Sequence, residues 1–272
     1  MAEADNSIIT SFTHLIAELK LQDGYFTIDL PHDWLQGRTA YGGLSAALCL
    51  EATLRSFPNL PPLRSAHFSF IGPAVGILRI TAKILRQGKS TIFTSAEIEG
   101  EMGVAARASF CFGLSRPASY NYINMPMTRV SDPDIYPSFF TWANRPNFMR
   151  HFEGRFAGGT RPCSAGANPE MLVWMRHCDQ EIDSCIVGLL ALADALPPAF
   201  FALLHKPVPI STVTWTVDFL DENPRSRDGW WFVKSAAESA QHGFSTQNIF
   251  IWAPDGQPVL TARQNIAVFG DT

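Results

Sequence analysis

The chain has 272 residues, of which 46% are hydrophobic and 17% charged, with a formal net charge of −4. That length suits one large domain or two fused units of about 100–150 residues, and the mild acidity gives no electrostatic footprint for a nucleic-acid partner. Five cysteines, an odd number with no CxxC pair, fit buried thiols in a reducing compartment better than a disulfide framework, so the expected location is cytoplasmic.

The opening MAEADNSIIT has no basic n-region and no long apolar run, so it does not read as a secretion signal. The first strong pattern is an apolar helix over Thr39–Phe57, carrying Leu44, Ala47, Leu48, Ala52 and Leu54. It is apolar nearly all round its first turns, the mark of a buried helix. Glu51 and Arg55 form an i,i+4 pair in the favourable order.

Four strand-like runs follow, His67–Ile71, Ile77–Arg86, Thr91–Ile98 and Val104–Phe112. In the last, Val104, Ala106, Ala108, Phe110 and Phe112 alternate with Arg107, Ser109 and Cys111. A period of two with one apolar face predicts antiparallel strands packed on one side. From 114 to 169 periodicity is weak and Pro, Asn, Ser and Gly abound. This is expected to be a connection whose Phe139, Phe140, Trp142, Phe148, Phe152 and Phe156 pack over the body, over a partner or over a pocket.

The order then repeats. Met171–His177 reads as a leading strand and Ser184–Leu196 as a helix. Thr212–Leu220, Trp230–Ser235, Phe244–Trp252 and Val259–Phe269 read as strands, with Asp255-Gly256 as a hairpin signal. The apolar stretch Cys185–Leu204 is broken by Asp194 and Pro197-Pro198, so it reads as a buried helix and a turn, not a membrane span. Gly88-Lys89-Ser90 echoes Gly243-Phe244-Ser245, and Ala106-Arg107 echoes Ala262-Arg263. The expected fold class is therefore α+β, with two antiparallel sheets each wrapped around its own helix. The units are 1–113 and 170–272, joined by 114–169.

Three segments resemble the double-hotdog acyl-CoA thioesterases of the thioesterase II group. They are Thr39-Ala40-Tyr41-Gly42-Gly43-Leu44; Val173-Trp174-Met175-Arg176 with Leu189–Asp194; and Thr214–Phe219 with Val259–Gln264. The resemblance implies a double hotdog that hydrolyses acyl-CoA to acid and CoA by direct attack of water, with no metal or redox cofactor. It also implies a water held by an Asp, a Thr or Ser, and a Gln. Carried over, the Gln falls on Gln264 and the hydroxyl near Ser235 to Ser239. The acid falls on Thr214, where this chain departs from the family pattern, and Asp218 lies four residues further on.

Taken as residues, Gln264 shares an apolar face with Leu260, Ala262, Ile266 and Val268. A buried amide there is either a structural group or one that positions water; unsatisfied, it would cost about 1–3 kcal/mol. Tyr41, Gly42 and Gly43 open a helix whose N–H groups and dipole suit an oxyanion, unless the glycines serve only close packing. Thr212, Thr214, Thr216 and Asp218 alternate with Val213, Trp215, Val217 and Phe219, as a solvated face or a cleft wall with Asp218 as base. Ser235 and Ser239 are the other candidate hydroxyls. His67 reads as the first-half counterpart of Thr216. GxSxG is incomplete because Ala47 holds its last position, which removes the support for a serine nucleophile. The alternatives are an acyl-CoA-binding protein of the same fold with weak catalysis, or a hotdog hydratase. Association of copies through sheet surfaces is a further expectation.

Overall fold

A computed structural model describes residues 9–182 and 185–270. Most of the opening segment and Ser184, the expected first residue of the second helix, lie outside the described residues. The described residues open with α1 (Phe12–Ala17), β1 (Lys20–Gln22) and β2 (Tyr25–Asp29), then a short hairpin of β3 (Leu35–Gln36) and β4 (Thr39–Ala40). Next come the long α2 (Gly42–Ser56) and β5 (Leu63–Phe70), β6 (Ile77–Gln87), β7 (Thr91–Gly100) and β8 (Gly103–Gly113). The second half contains β9 (Phe152–Gly159), β10 (Glu170–His177), α3 (Ile186–Ala193), β11 (Ile210–Phe219), β12 (Trp231–Gln241), β13 (Phe244–Trp252) and β14 (Pro258–Val268).

The expectation of two separate sheets is corrected. All but the small β3–β4 hairpin belong to one 12-stranded antiparallel sheet, ordered β1-β2-β6-β7-β8-β5-β11-β14-β13-β12-β10-β9. The join is the β5–β11 ladder, where His67 faces Thr216 and Phe68 faces Trp215. The His67 Nδ1 and Thr216 Oγ1 lie 2.8 Å apart in a hydrogen bond, and the Phe68 and Trp215 ring centroids are 5.5 Å apart. Pairing the two central strands satisfies edge groups that two separate sheets would leave open. The strand order reads as a palindrome about this join.

Local chemistry accounts for the elements. Helix α2 is buried along nearly all its length, from Gly43 through Leu50 and on to Ala52 and Thr53. It packs on β6, β7, β8 and α3. Arg55 pairs with Glu51 at 2.6 Å and also donates to the Leu19 and Ile16 carbonyls, which ties the exposed helix end to the N-terminal segment. Helix α3 stops at Ala193, short of the expected Leu196. Pro197 has no N–H for the Ala193 carbonyl four residues back, its ring would crowd that carbonyl, and it bars Leu196 from helical geometry. The chain then makes a 3-10 turn at Ala199–Leu203.

The connection is more ordered than its composition suggests. Met125, Met127, Val130 and Tyr136 cover Trp174, Phe232 and Trp252 on the sheet, with the two tryptophan indoles donating to the Ser131 and Met125 carbonyls. Strand β9 then pairs with β10. Its glycines hide the strand pattern, and ladder contacts outweigh weak propensity. Phe139, Phe140, Phe148 and Phe152 are buried in the main core, so the expected packing on the body holds for them.

Candidate active site

The site forms where α3 ends, against the first turn of α2 and the inner face of β14. Asp194 is the C-terminal cap of α3. Gln264 is 2% exposed, and its Nε2 donates to the Asp194 carboxylate. The Gly43 backbone N–H donates to the same carboxylate. A second buried amide, Gln247 of β13, lies directly opposite Gln264 in the ladder. Its Nε2 donates to Gln264 Oε1 at 2.6 Å, while its own Oε1 accepts from the Ala199 N–H at 2.8 Å.

This relay orients every group in it. A backbone N–H only donates, so the Gln247 oxygen must face Ala199 and its nitrogen must face Gln264. The Gln264 oxygen is thereby occupied, its NH2 must turn toward Asp194, and one N–H of that NH2 is left for another acceptor. The amide orientations thus follow from the main chain.

Burial, the dominant influence on Asp194, pushes its pKa up from 3.8 to about 7, against the opposing hydrogen bonds from Gln264 and Gly43. A carboxyl that changes state near neutrality can take a proton from water at working pH. The approach of α2 to Asp194 demands glycine. A Cβ on Gly42 would stand 2.7 Å from Asp194 Oδ2, and one on Gly43 would stand 2.5 Å from the Tyr41 ring and 2.6 Å from the Ala191 carbonyl. Tyr41 is buried, donates its hydroxyl to the Ala191 carbonyl at 3.1 Å, and stacks on Phe148 at 4.2 Å. Tyr41, Gly42 and Gly43 therefore lock the two helices together around the carboxylate, and the start of α2 directs its positive dipole end to that region.

Asp194, Gln247 and Gln264 open onto a cavity of about 330 Å3 that also includes Thr212. Thr212 gets there by a β-bulge. In the β11–β14 ladder Thr212 faces Ile266, but Thr214 faces Asn265 and Trp215 faces Gln264. The extra residue, Val213, shifts the alternation, so Thr212 falls on the Gln264 side and Thr214 on the other. The single four-residue face expected over Thr212–Asp218 is thus broken at its first member.

The remaining sequence candidates are not brought to the cavity. Thr214 faces Ser69 and Asn265, and Asp218 is exposed opposite Ser65 and Thr261. Ser239 Oγ is hydrogen-bonded to Thr246 Oγ1, its ladder partner on β13, at 2.8 Å. Ser235 is buried on β12 opposite Met171 and Ile249. Sequence reasoning passed over Asp194 and Gln247. Asp194 had a signal, since a lone carboxylate ending the apolar run Val187–Ala193 is costly to bury without partners.

Two family models match the sequence, an acyl-CoA thioesterase N-terminal domain over residues 30–113 and an acyl-CoA thioesterase C-terminal domain over 128–268. No curated protein matches it in sequence. Among solved structures it is similar to a hot dog fold protein of unknown function from Alicyclobacillus acidocaldarius, with TM-score 0.86 and 22% identity, covering 97% of this chain and 100% of the other. It is also similar to the tesB protein of Mycobacterium avium subsp. paratuberculosis, with TM-score 0.77, 17% identity and coverage of 96% and 100%. The acyl-CoA thioesterase II TesB2 of Mycobacterium marinum gives TM-score 0.74, 16% identity and coverage of 94% and 98%. At these identities the structures establish the hot dog fold.

Proposed function

Because the chain belongs to the acyl-CoA thioesterase family and is a hydrolase of acyl-CoA thioesters, we propose that cleavage takes place in the cavity beside Asp194, by direct attack of water. Asp194 is the general base. Its raised pKa makes it a stronger base than an ordinary carboxylate while leaving a large share of it ionised near neutral pH, so it can accept the proton as water attacks. Gln264, oriented by Gln247, uses its remaining N–H to hold the water or the carbonyl oxygen, and the Thr212 hydroxyl supplies a second polar contact. The N-terminal end of α2 stabilises the negative charge that develops on the carbonyl oxygen. As the C–S bond breaks, the leaving thiolate takes from Asp194 the proton that came from water, so that CoA leaves as the thiol, the acid is released and Asp194 is again a base. No covalent acyl-enzyme is required.

The observation that carries this reading is the relay from the Ala199 N–H through Gln247 and Gln264 to a buried carboxylate. It supports Asp194 as the base, which would meet the acid requirement that the family resemblance left open at Thr214. The test is release of free thiol from acyl-CoA. Gln264→Ala is expected to lower kcat about 100-fold or more, and a measured rate within twofold of the parent refutes the assignment.

On the same reading the chain divides into hotdog units 1–113 and 170–272 with the connection 114–169, the two units sharing the one continuous sheet. The palindromic strand order supports two such units, with β9 of the connection added at the outer edge of the second. None of the helices among the described residues is long and apolar enough to cross a membrane. The five free cysteines support a cytoplasmic setting. Association of copies through exposed sheet surfaces is also part of the proposal.

A further inference from the structure

From the cavity's size and the stiffness of its wall, we infer that this enzyme selects acyl groups of medium length, with an optimum near eight carbons. The inference rests on the hydrolase reading above and adds to it the length of the acyl group.

Asp194 is the sole charged residue in the cavity lining. Beyond the polar end formed by Asp194, Gln247, Gln264 and Thr212, the wall is apolar apart from Gln36 and carries no cationic side chain, which suits an acyl chain and not a nucleotide phosphate. With a methylene taken at ~30 Å3, the liquid share of one water, about 330 Å3 holds about eleven such groups. The thioester carbon, oxygen and sulfur take about three of these places, and the roughly eight that remain, with the carbonyl carbon, correspond to an acyl group of about eight to nine carbons.

Whether a cavity limits chain length depends on how readily its wall retreats. Here it is stiff. Pro146, Pro197, Pro198, Pro207 and Pro209 all line it, and each fixes its own φ. Phe148 cannot turn aside cheaply because it lies flat on Tyr41, which is 1% exposed and hydrogen-bonded to Ala191. Longer chains must therefore displace packed rings or extend into water, and overfilling a packed wall is destabilising. Phe148 comes from the connection, so a segment outside the sheet sets the substrate range.

The experiment is the profile of kcat/KM for saturated acyl-CoA thioesters from two to sixteen carbons, read as thiol release by the full chain. Within the cavity each added methylene is expected to raise kcat/KM by about fourfold, the equivalent of ~0.8 kcal/mol. The profile should peak near eight carbons and fall at least tenfold by sixteen. Phe148→Ala should move the peak about two to four carbons longer by opening the wall, and Val208→Phe should move it shorter. A profile that is flat or still rising at sixteen carbons in the parent enzyme overturns the inference and leaves the hydrolase standing. Thiol release from none of the thioesters overturns the hydrolase reading and this inference with it. The parent profile decides the matter even where a variant does not fold.

Discussion

Asp194→Asn separates the catalytic and the energetic consequences of one buried carboxyl. In the parent protein the Asp194 pKa rises from 3.8 to about 7 on folding. Between those values the unfolded chain is ionised while the folded chain keeps its proton, so the folded state binds more protons and stability falls as pH rises. About three pH units at 1.36 kcal/mol each give a loss of about 4 kcal/mol, complete above pH 7 and absent below pH 4. Asparagine carries no charge at any pH and its oxygen can still accept from Gln264. One opposing effect is local, since its NH2 cannot face the Gly43 N–H without repulsion. The variant is therefore expected to be more stable than the parent at pH 8, by up to about 4 kcal/mol, with the gain shrinking toward pH 4. Its kcat should fall about 100- to 10,000-fold through loss of the base, with KM changed little. Urea denaturation at pH 4.5, 6 and 8, beside thiol release at pH 8, measures both. A variant that retains a tenth of parental kcat, or that loses more stability at pH 8 than at pH 4.5, refutes the assignment.

Parental kcat/KM should drop tenfold per pH unit below about 7 as Asp194 takes up its proton, and the inflection should vanish from the residual rate of Asp194→Asn. Thr212→Val should lower kcat about tenfold or more, whereas Thr214→Val, on the other side of the bulge, should leave it within twofold, both read by thiol release. Gly43→Ala forces a Cβ to 2.6 Å from the Ala191 carbonyl, so a loss of about 2 kcal/mol or more in denaturant midpoint is expected. His177 is buried between the Phe12 and Phe152 rings with its Nε2 donating to the Gly188 carbonyl, and burial lowers its pKa from 6.5 to about 4. Here the unfolded chain binds more protons, so stability is full above pH 6.5 and is lost toward pH 4, by about 3 kcal/mol. His177→Gln should flatten the acid limb of the stability curve, and an unchanged limb counts against that account.

Much of the fold is legible in the sequence because it depends on local periodicity. Alternation over Ile77–Arg86 and Val104–Phe112 and the all-round apolar α2 correspond to elements at those positions. The same alternation put Gln264 among Leu260, Ala262 and Ile266, and the structure buries all four on one side. Strand β9 and the small N-terminal strands escaped because short or glycine-rich segments become strands only when a neighbour's ladder is present to pair with them.

What the sequence determined by itself is the set of buried faces, since an apolar residue at each second or each third-and-fourth position leaves little choice about which side turns inward. The tertiary structure alone decided three things: that β5 and β11 fuse the halves into one sheet, that Val213 makes a bulge which turns Thr212 inward, and that Asp194 meets Gln264 across 70 residues of chain. The physical reason is common to all three. A hydrogen bond between distant strands leaves no periodic trace, and one extra residue in a strand reverses every inward and outward assignment on one side of it.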